Sequence, residues 1–131
     1  MTKMKTQPDE LLRSLGVRPY YKGYSYLLTA LDMITDDTNL LSALTTKVYP
    51  HIAKCYNVTP TSVERAIRFI INKTWECSES KKLSKMFGPY MNDWTPTNRE
   101  FLGITAECLL ATTRMQIIEN IRKGIKNNND I

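Results

Sequence analysis

One pair of side chains has the types and the spacing of a catalytic dyad. His51 and Cys55 stand four residues apart, which on a helix places them on the same side, one turn from each other. An imidazole that accepted the thiol proton would create a thiolate nucleophile. However, the sequence shows no third group to orient the histidine, and a lone histidine is more often a surface or phosphate-contacting residue. We therefore predict no catalytic residues and no enzyme activity.

The sequence also lacks the residues for a metal site or a nucleotide cofactor. It has one histidine and three cysteines, Cys55, Cys77 and Cys108, without a C-x-x-C spacing, so neither a zinc site nor a disulfide framework is predicted. Its five glycines are scattered and form no phosphate-binding loop. We predict no metal and no cofactor, and the cysteine usage indicates a reducing, cytoplasmic location.

A second group of side chains has the chemistry of nucleic-acid recognition. On a helical wheel of residues 60–75, Arg65 and Arg68 lie opposite the apolar side chains, and Glu64 lies on the flank. Arginine pairs with guanine through two hydrogen bonds in the major groove, and glutamate accepts a bond from cytosine N4. The predicted DNA-binding residues are Thr61, Ser62, Glu64, Arg65, Arg68, Asn72 and, on the preceding helix, Lys54.

The residues before this helix fit a helix-turn-helix motif. Ala53 is small where the two helices would cross, and Asn57 tolerates the left-handed backbone that the turn needs. Val58 would fill the core beside the turn, Thr59 would cap the second helix, and Val63 would pack it onto the first. A plain helical hairpin with a solvated face is the alternative, and the joint match of these residues favours the DNA-binding motif.

Positive charge is concentrated around the motif. The chain has a net charge of +5, and residues 38–75 contribute +4 of it, because five lysines and arginines face a single glutamate there. Charge alone is compatible with a polyanionic partner or with a solvated basic face. Together with the helix-turn-helix, it favours duplex DNA.

The rest of the chain reads as an all-α fold, a compact domain of six or seven helices. Apolar residues recur at helical spacing, and alternating strand patterns are nearly absent. The tyrosines near Lys22 could form a partner or nucleic-acid surface; they are Tyr20, Tyr21, Tyr24 and Tyr26. The helical spacing of Tyr20 and Tyr24 favours a place in the core instead. No apolar run approaches the ~20 residues of a membrane span. Helices are predicted over residues 9–15, 20–34, 39–47, 50–56 and 60–75 and from about residue 97, with one further turn around 83–87.

The C-terminal segment is predicted to be an extension of the domain, with boundaries at 1–112 and 113–131. Ile118, Ile121 and Ile125 form one apolar stripe in it, either on a continuation of the sixth helix or on a seventh. Such a stripe has to be buried, on its own domain or on a second subunit. We favour a homodimer contact through residues 113–126, and we expect the last residues, NNNDI, to be frayed.

Several blocks of the sequence also resemble a known family. The blocks are LGVRPYYKGYSYL (15–27), LLSALTTKVYPHIAKCYNVTPTSVERAIRFIINKTW (40–75), KMFGPY (85–90) and PTNREFL (96–102). Together they are similar to the C-terminal effector domain of the stage-zero sporulation response regulators, over roughly residues 11–112. The resemblance implies a six-helix transcription regulator whose subunits bind adjacent DNA sites. It also implies that Glu64 and Arg65 read bases, with Arg68 close by.

Two functions of this fold remain open at the level of the sequence. The first is sequence-specific duplex DNA binding in sporulation control. The second is an adaptor that binds a regulator or RNA polymerase without reading DNA. The length leaves no room for the receiver domain of the best-known family members, so control by aspartate phosphorylation is not expected in this chain. No membrane partner is expected.

Overall fold

The computed structural model describes residues 7–77, 79–91 and 94–129, and these residues form six α-helices. The helices are α1 (Pro8–Ser14), α2 (Gly23–Asp36), α3 (Tyr49–Tyr56), α4 (Pro60–Glu76), α5 (Lys81–Met86) and α6 (Asn98–Asn129). Short 3-10 segments at Thr38–Ala43 and Gly88–Tyr90 and a π-helical turn at Leu44–Val48 connect them. The predicted all-α fold class is confirmed.

The centre of the domain is formed by α2, α4 and α6, which pack against one another. Each contributes large side chains that are fully buried: Leu27, Leu31 and Ile34 from α2, Ile67, Ile70 and Ile71 from α4, and Phe101 and Leu102 from α6. Burial of each such side chain contributes about 1.5–3 kcal/mol to stability. Because α4 buries its apolar side here, the core determines which side of α4 faces solvent.

The first residue of α2 lies directly against the backbone of α4. A Cβ atom added at Gly23 would overlap the carbonyl oxygen of Ala66 in α4, and it would lie 3.2 Å from Ile70 Cγ2. Only a glycine lets the backbones of α2 and α4 approach this closely. The position of α4 therefore depends on the absence of a side chain at residue 23.

The predicted third helix, 39–47, is not an α-helix. The chain winds there as a 3-10 segment and then a π turn, in which the Tyr49 N–H donates to the Leu44 carbonyl five residues earlier. The physical reason is Pro50, which has no N–H and whose ring would clash with the carbonyl four residues back in a regular α-helix. The wider turn accommodates this proline and leads directly into α3.

The second helix begins later than predicted. Residues 18–22 form turns, and α2 starts at Gly23, so Tyr20 and Tyr24 do not share a helix face. Tyr24 is buried as predicted, and its hydroxyl donates to Asp9 Oδ1 at 2.5 Å. The prediction for Tyr20 is wrong, because 71% of its surface is exposed.

The C-terminal segment continues the sixth helix without a break. α6 has 32 residues and runs to Asn129. Residues 130 and 131 lie outside the described part, and fraying of the tail stays a prediction. Beyond Thr113 its residues no longer pack on the domain, and Ile118, Ile121 and Ile125 are exposed. The structure therefore does not bury this stripe on its own domain.

No candidate membrane span was expected from the sequence, but part of α6 is long and apolar enough to count as one. An 18-residue window within Asn98–Ile125 has a mean hydropathy of 1.2, enough to cross a membrane by length and composition. The core helix of a soluble protein can have the same property, and the first half of α6 buries Phe101, Leu102 and Leu109 in the domain. The hydropathy of α6 is therefore weak evidence for a membrane.

The contact at Gly23 leads to a stability prediction. We expect Gly23→Ala to lower the free energy of unfolding by about 1–3 kcal/mol, because the new methyl group overlaps main-chain atoms that have no rotamer to escape into. The measurement is urea denaturation followed by circular dichroism. Gly124→Ala is the matched control, since nothing lies within 4 Å of a Cβ there, and it should be neutral or stabilising. Equal stability of the two variants would contradict the close contact.

Candidate nucleic-acid interface

The turn between α3 and α4 has the geometry of a helix-turn-helix. Asn57 follows α3 with φ 56° and ψ 50°, and it is the one non-glycine residue with a positive φ in the described part of the chain. The Val58 N–H donates back to the Ala53 carbonyl at 2.9 Å, which closes the end of α3. Ala53 is buried and Val58 is half-buried. The predicted roles of these three residues in the turn are confirmed.

The start of α4 is fixed by its N-cap. Thr59 has an extended backbone, and its Oγ1 accepts a hydrogen bond from the Ser62 N–H at 3.1 Å. The same hydroxyl donates to Ser62 Oγ at 2.8 Å. Pro60 occupies the first helical position, where its missing N–H costs nothing. The Ser62 hydroxyl is thus engaged in the cap, which limits its availability to a ligand.

The outward side of α4 carries most of the predicted site residues. Val63, Ile67, Ile70, Ile71 and Thr74 are buried on the inward side. Thr61, Ser62, Arg65, Arg68 and Asn72 are exposed, and Glu64 is half-buried between the two sides. Lys54 is exposed in the last turn of α3, so it lies on the other helix of the motif. The structure therefore brings six of the seven predicted residues onto one helix.

Two of the charged residues on α4 are paired with each other. Arg68 Nη2 lies 3.3 Å from Glu64 Oε2, one turn away, and both side chains are largely exposed to solvent. An exposed pair of this kind contributes little to stability, so it can open when a ligand binds. In the described part of the chain Arg65 forms no ion pair or hydrogen bond, so its guanidinium is free to contact a partner.

A buried amide holds α4 from the other side of the motif. Asn98 Nδ2 donates to the Glu64 carbonyl and to the Tyr49 hydroxyl, both at 3.1 Å, and so links α6 to α4 and α3. Burial raises the pKa of Tyr49, so its hydroxyl remains neutral. Thr97 and Glu100 fix the start of α6 with a reciprocal capping box. Sequence reasoning assigned Asn98 only to a helix start, although PTNREFL contains it.

An aromatic and basic surface lies on the outward side of α4, and the sequence analysis missed its central residue, Phe69. Phe69, on the outward side of α4, is 49% exposed. Its ring packs edge-on against Tyr21 at 5.4 Å, and Lys73 Nζ lies 5.5 Å from the ring centre. Tyr20 packs against Tyr21, and its hydroxyl accepts from Arg18 Nη1 at 3.2 Å. The sequence did contain a signal for this surface, because Phe69 is an aromatic residue on the polar side of an amphipathic helix.

The potential catalytic pair is close but has no supporting groups. Cys55 Sγ lies 3.6 Å from His51 Nε2 on the exposed side of α3. Among the described residues no carboxylate is hydrogen-bonded to the imidazole, and no cluster of three metal-binding side chains occurs. The pair therefore lacks the third group that orients the base in a nucleophilic site.

A short helix, a left-handed residue, an N-capped second helix and an exposed basic face define the class of all-α helix-turn-helix DNA-binding domains. The chain belongs to the family described as sporulation initiation factor Spo0A C terminal, which matches residues 9–109. The resemblance of the sequence blocks is thereby confirmed. The family is one of DNA-binding regulatory domains and not of enzymes, so the chain contains the DNA-binding domain of a sporulation-related transcription regulator.

The left-handed turn leads to a test of the motif. We expect Asn57→Ala to lower the free energy of unfolding by roughly 1–2 kcal/mol, because the backbone of an alanine is strained at a positive φ. Asn57→Gly should change the free energy of unfolding by less than about 0.5 kcal/mol, because glycine adopts this conformation freely. The measurement is urea denaturation. Asn72→Ala, the same substitution inside α4, controls for the loss of the amide and should be neutral or slightly stabilising. A destabilised glycine variant would contradict the role of backbone conformation.

Proposed function

We propose that the chain binds duplex DNA sequence-specifically as a transcription regulator, with α4 in the major groove. The observation that carries this proposal is the outward side of α4, where Arg65 is exposed and unpaired on a helix held rigidly by the core. An α-helix fits the width of the major groove, and arginine reads guanine there. The protein would act in the cytoplasm, the location that its cysteine usage indicates.

We propose different roles for the polar residues along the helix. Arg65 lies in the second turn of α4 and would read a base. Glu64 would accept a hydrogen bond from cytosine once its bond to Arg68 opens. Arg68 and Asn72 lie further along, where a straight helix begins to leave the groove, and would contact phosphates. Thr61 and Lys54, at the start of α4 and the end of α3, would contact the backbone.

We expect Arg65→Ala to weaken binding to the preferred sequence by about 1–3 kcal/mol and to relax the preference at one base pair, because a bidentate contact is lost. The preferred sequence is first obtained by selection from a random duplex pool. Affinity is then measured by fluorescence anisotropy on the selected and on scrambled duplexes. Arg13→Ala, which removes the same charge on α1, is the control and should keep the preference. If the Arg65→Ala variant kept its full preference for the selected duplex, Arg65 would not be a base-reading residue.

Arg68→Ala should weaken binding to all duplexes similarly and reduce the slope of log affinity against log salt concentration by about one. The reason is that one fewer phosphate counterion is released when one phosphate contact is lost. Titrations at several salt concentrations give this slope, and circular dichroism checks that the helices are retained. A loss confined to the selected duplex would instead make Arg68 a base-reading residue.

The same titrations separate the proposal from an adaptor function. An adaptor for another regulator or for RNA polymerase would show no binding to duplex DNA at low salt, or an association insensitive to salt. Either result would contradict direct DNA recognition, because counterion release is inherent in a helix that neutralises phosphates.

A further inference from the structure

One side of α6 is apolar along both the part in the domain and the part beyond it. Ile104, Ala111, Ile118 and Ile125 recur at intervals of seven residues, so they stay on one side of the helix with a drift of about 20° per interval. Ile104 and Ala111 line a groove on the domain, whereas Ile118 and Ile125 lie beyond it and are exposed. The apolar side is thus half groove and half bare helix.

The groove is a cleft of about 660 Å³ on the domain. Leu41, Met86 and Tyr90 form one wall, and α6 forms the other from Arg99 to Ala111. Glu107 also lines it. Its side chain is 71% exposed, and its ion pair with Arg114 is long, at 4.0 Å. The groove therefore combines apolar walls with one acidic group that is free to take a new partner.

The bare part of α6 matches the groove in chemistry. Met115 is 65% exposed, and Ile121 and Ile125 are each 56% exposed. Arg122 flanks this stripe and is held only by an exposed pair with Glu119 at 3.6 Å. The stripe cannot fill the groove of its own chain, because both lie on the same side of one continuous helix. The segment that fills the groove and the surface that covers the stripe therefore have to come from another molecule.

We propose that two copies of this chain pair antiparallel through α6, so that the bare part of each helix lies in the groove of the other. Ile125 and Ile118 of one copy then lie beside Ile104 and Ala111 of the other, over about 33 Å of paired helix. Arg122 comes next to Glu107 of the second copy, which gives opposite charges at both ends. The arrangement is isologous, so it closes with two copies and leaves neither groove empty.

A parallel pair of the same helices fits less well. It would set Arg114 and Arg122 beside their own counterparts and would leave both grooves unfilled. The antiparallel pair also leaves the outward side of α4 accessible, because Thr61, Arg65 and Asn72 do not line the groove. The dimer therefore does not occupy the side of α4 proposed to bind DNA, and failure of one proposal leaves the other standing.

The first experiment measures the mass of the full chain in solution by sedimentation equilibrium over a range of concentrations. We expect twice the chain mass of 15.1 kDa for the unaltered protein, and a dissociation constant raised roughly tenfold or more by Ile118→Ser. Gln116→Ser, on the opposite side of α6, is the matched control and should not change it. A monomer at every concentration, or an effect of Gln116→Ser equal to that of Ile118→Ser, would overturn the proposal.

The second experiment tests the antiparallel arrangement by exchange of charges. Glu107→Arg and Arg122→Glu should each weaken the dimer, and the double variant should restore it, because the pair is then present with its charges reversed. Lys123→Glu makes the same charge change on the opposite side of the helix and should leave the dimer intact. Circular dichroism checks that every variant stays folded. A dimer that neither single variant weakens, or that the double variant fails to restore, would overturn the antiparallel pairing.

Discussion

The structure depends on the contact between the start of α2 and the backbone of α4. At Gly23 the two main chains are so close that a Cβ would overlap the Ala66 carbonyl. Contacts between long side chains can be adjusted by rotation, but a contact with main-chain atoms cannot. On the other side, Asn98 holds the carbonyl of Glu64, two residues earlier. The first turns of α4 are therefore fixed from two directions by atoms with little freedom to move.

These two restraints explain how α4 can expose basic side chains that do not themselves hold the helix in place. Arg65 has no partner in the described structure, and the pair of Arg68 with Glu64 is exposed and weak. If these arginines had to hold the helix in place, their charges would be engaged within the domain. Because buried isoleucines, a glycine and an asparagine position α4, its outward side chains remain available for phosphates and bases.

The parts of the motif that depend on local chemistry were predictable from the sequence. A left-handed asparagine, a capping threonine and a first-turn proline act within a few residues, so Asn57, Thr59 and Pro60 were assigned correctly. Interactions between distant residues were not predictable in this way. Asn98 lies 49 residues from Tyr49 and 34 from Glu64, and no periodicity reports such a contact. The stretch before Pro50 had helical spacing, but its winding was set by a proline beyond it.

The α6 helix connects these observations, because it starts at the restraint on α4 and ends in the exposed apolar stripe. Asn98, its first residue, holds α4, and about three turns later Leu109 is still buried in the domain. Beyond this point the helix continues without a break. A continuous helix transmits orientation, since its hydrogen bonds resist bending. Any molecule that binds the end of α6 is therefore held in a defined direction relative to α4, and a second copy there would set the angle and spacing between the two copies of α4.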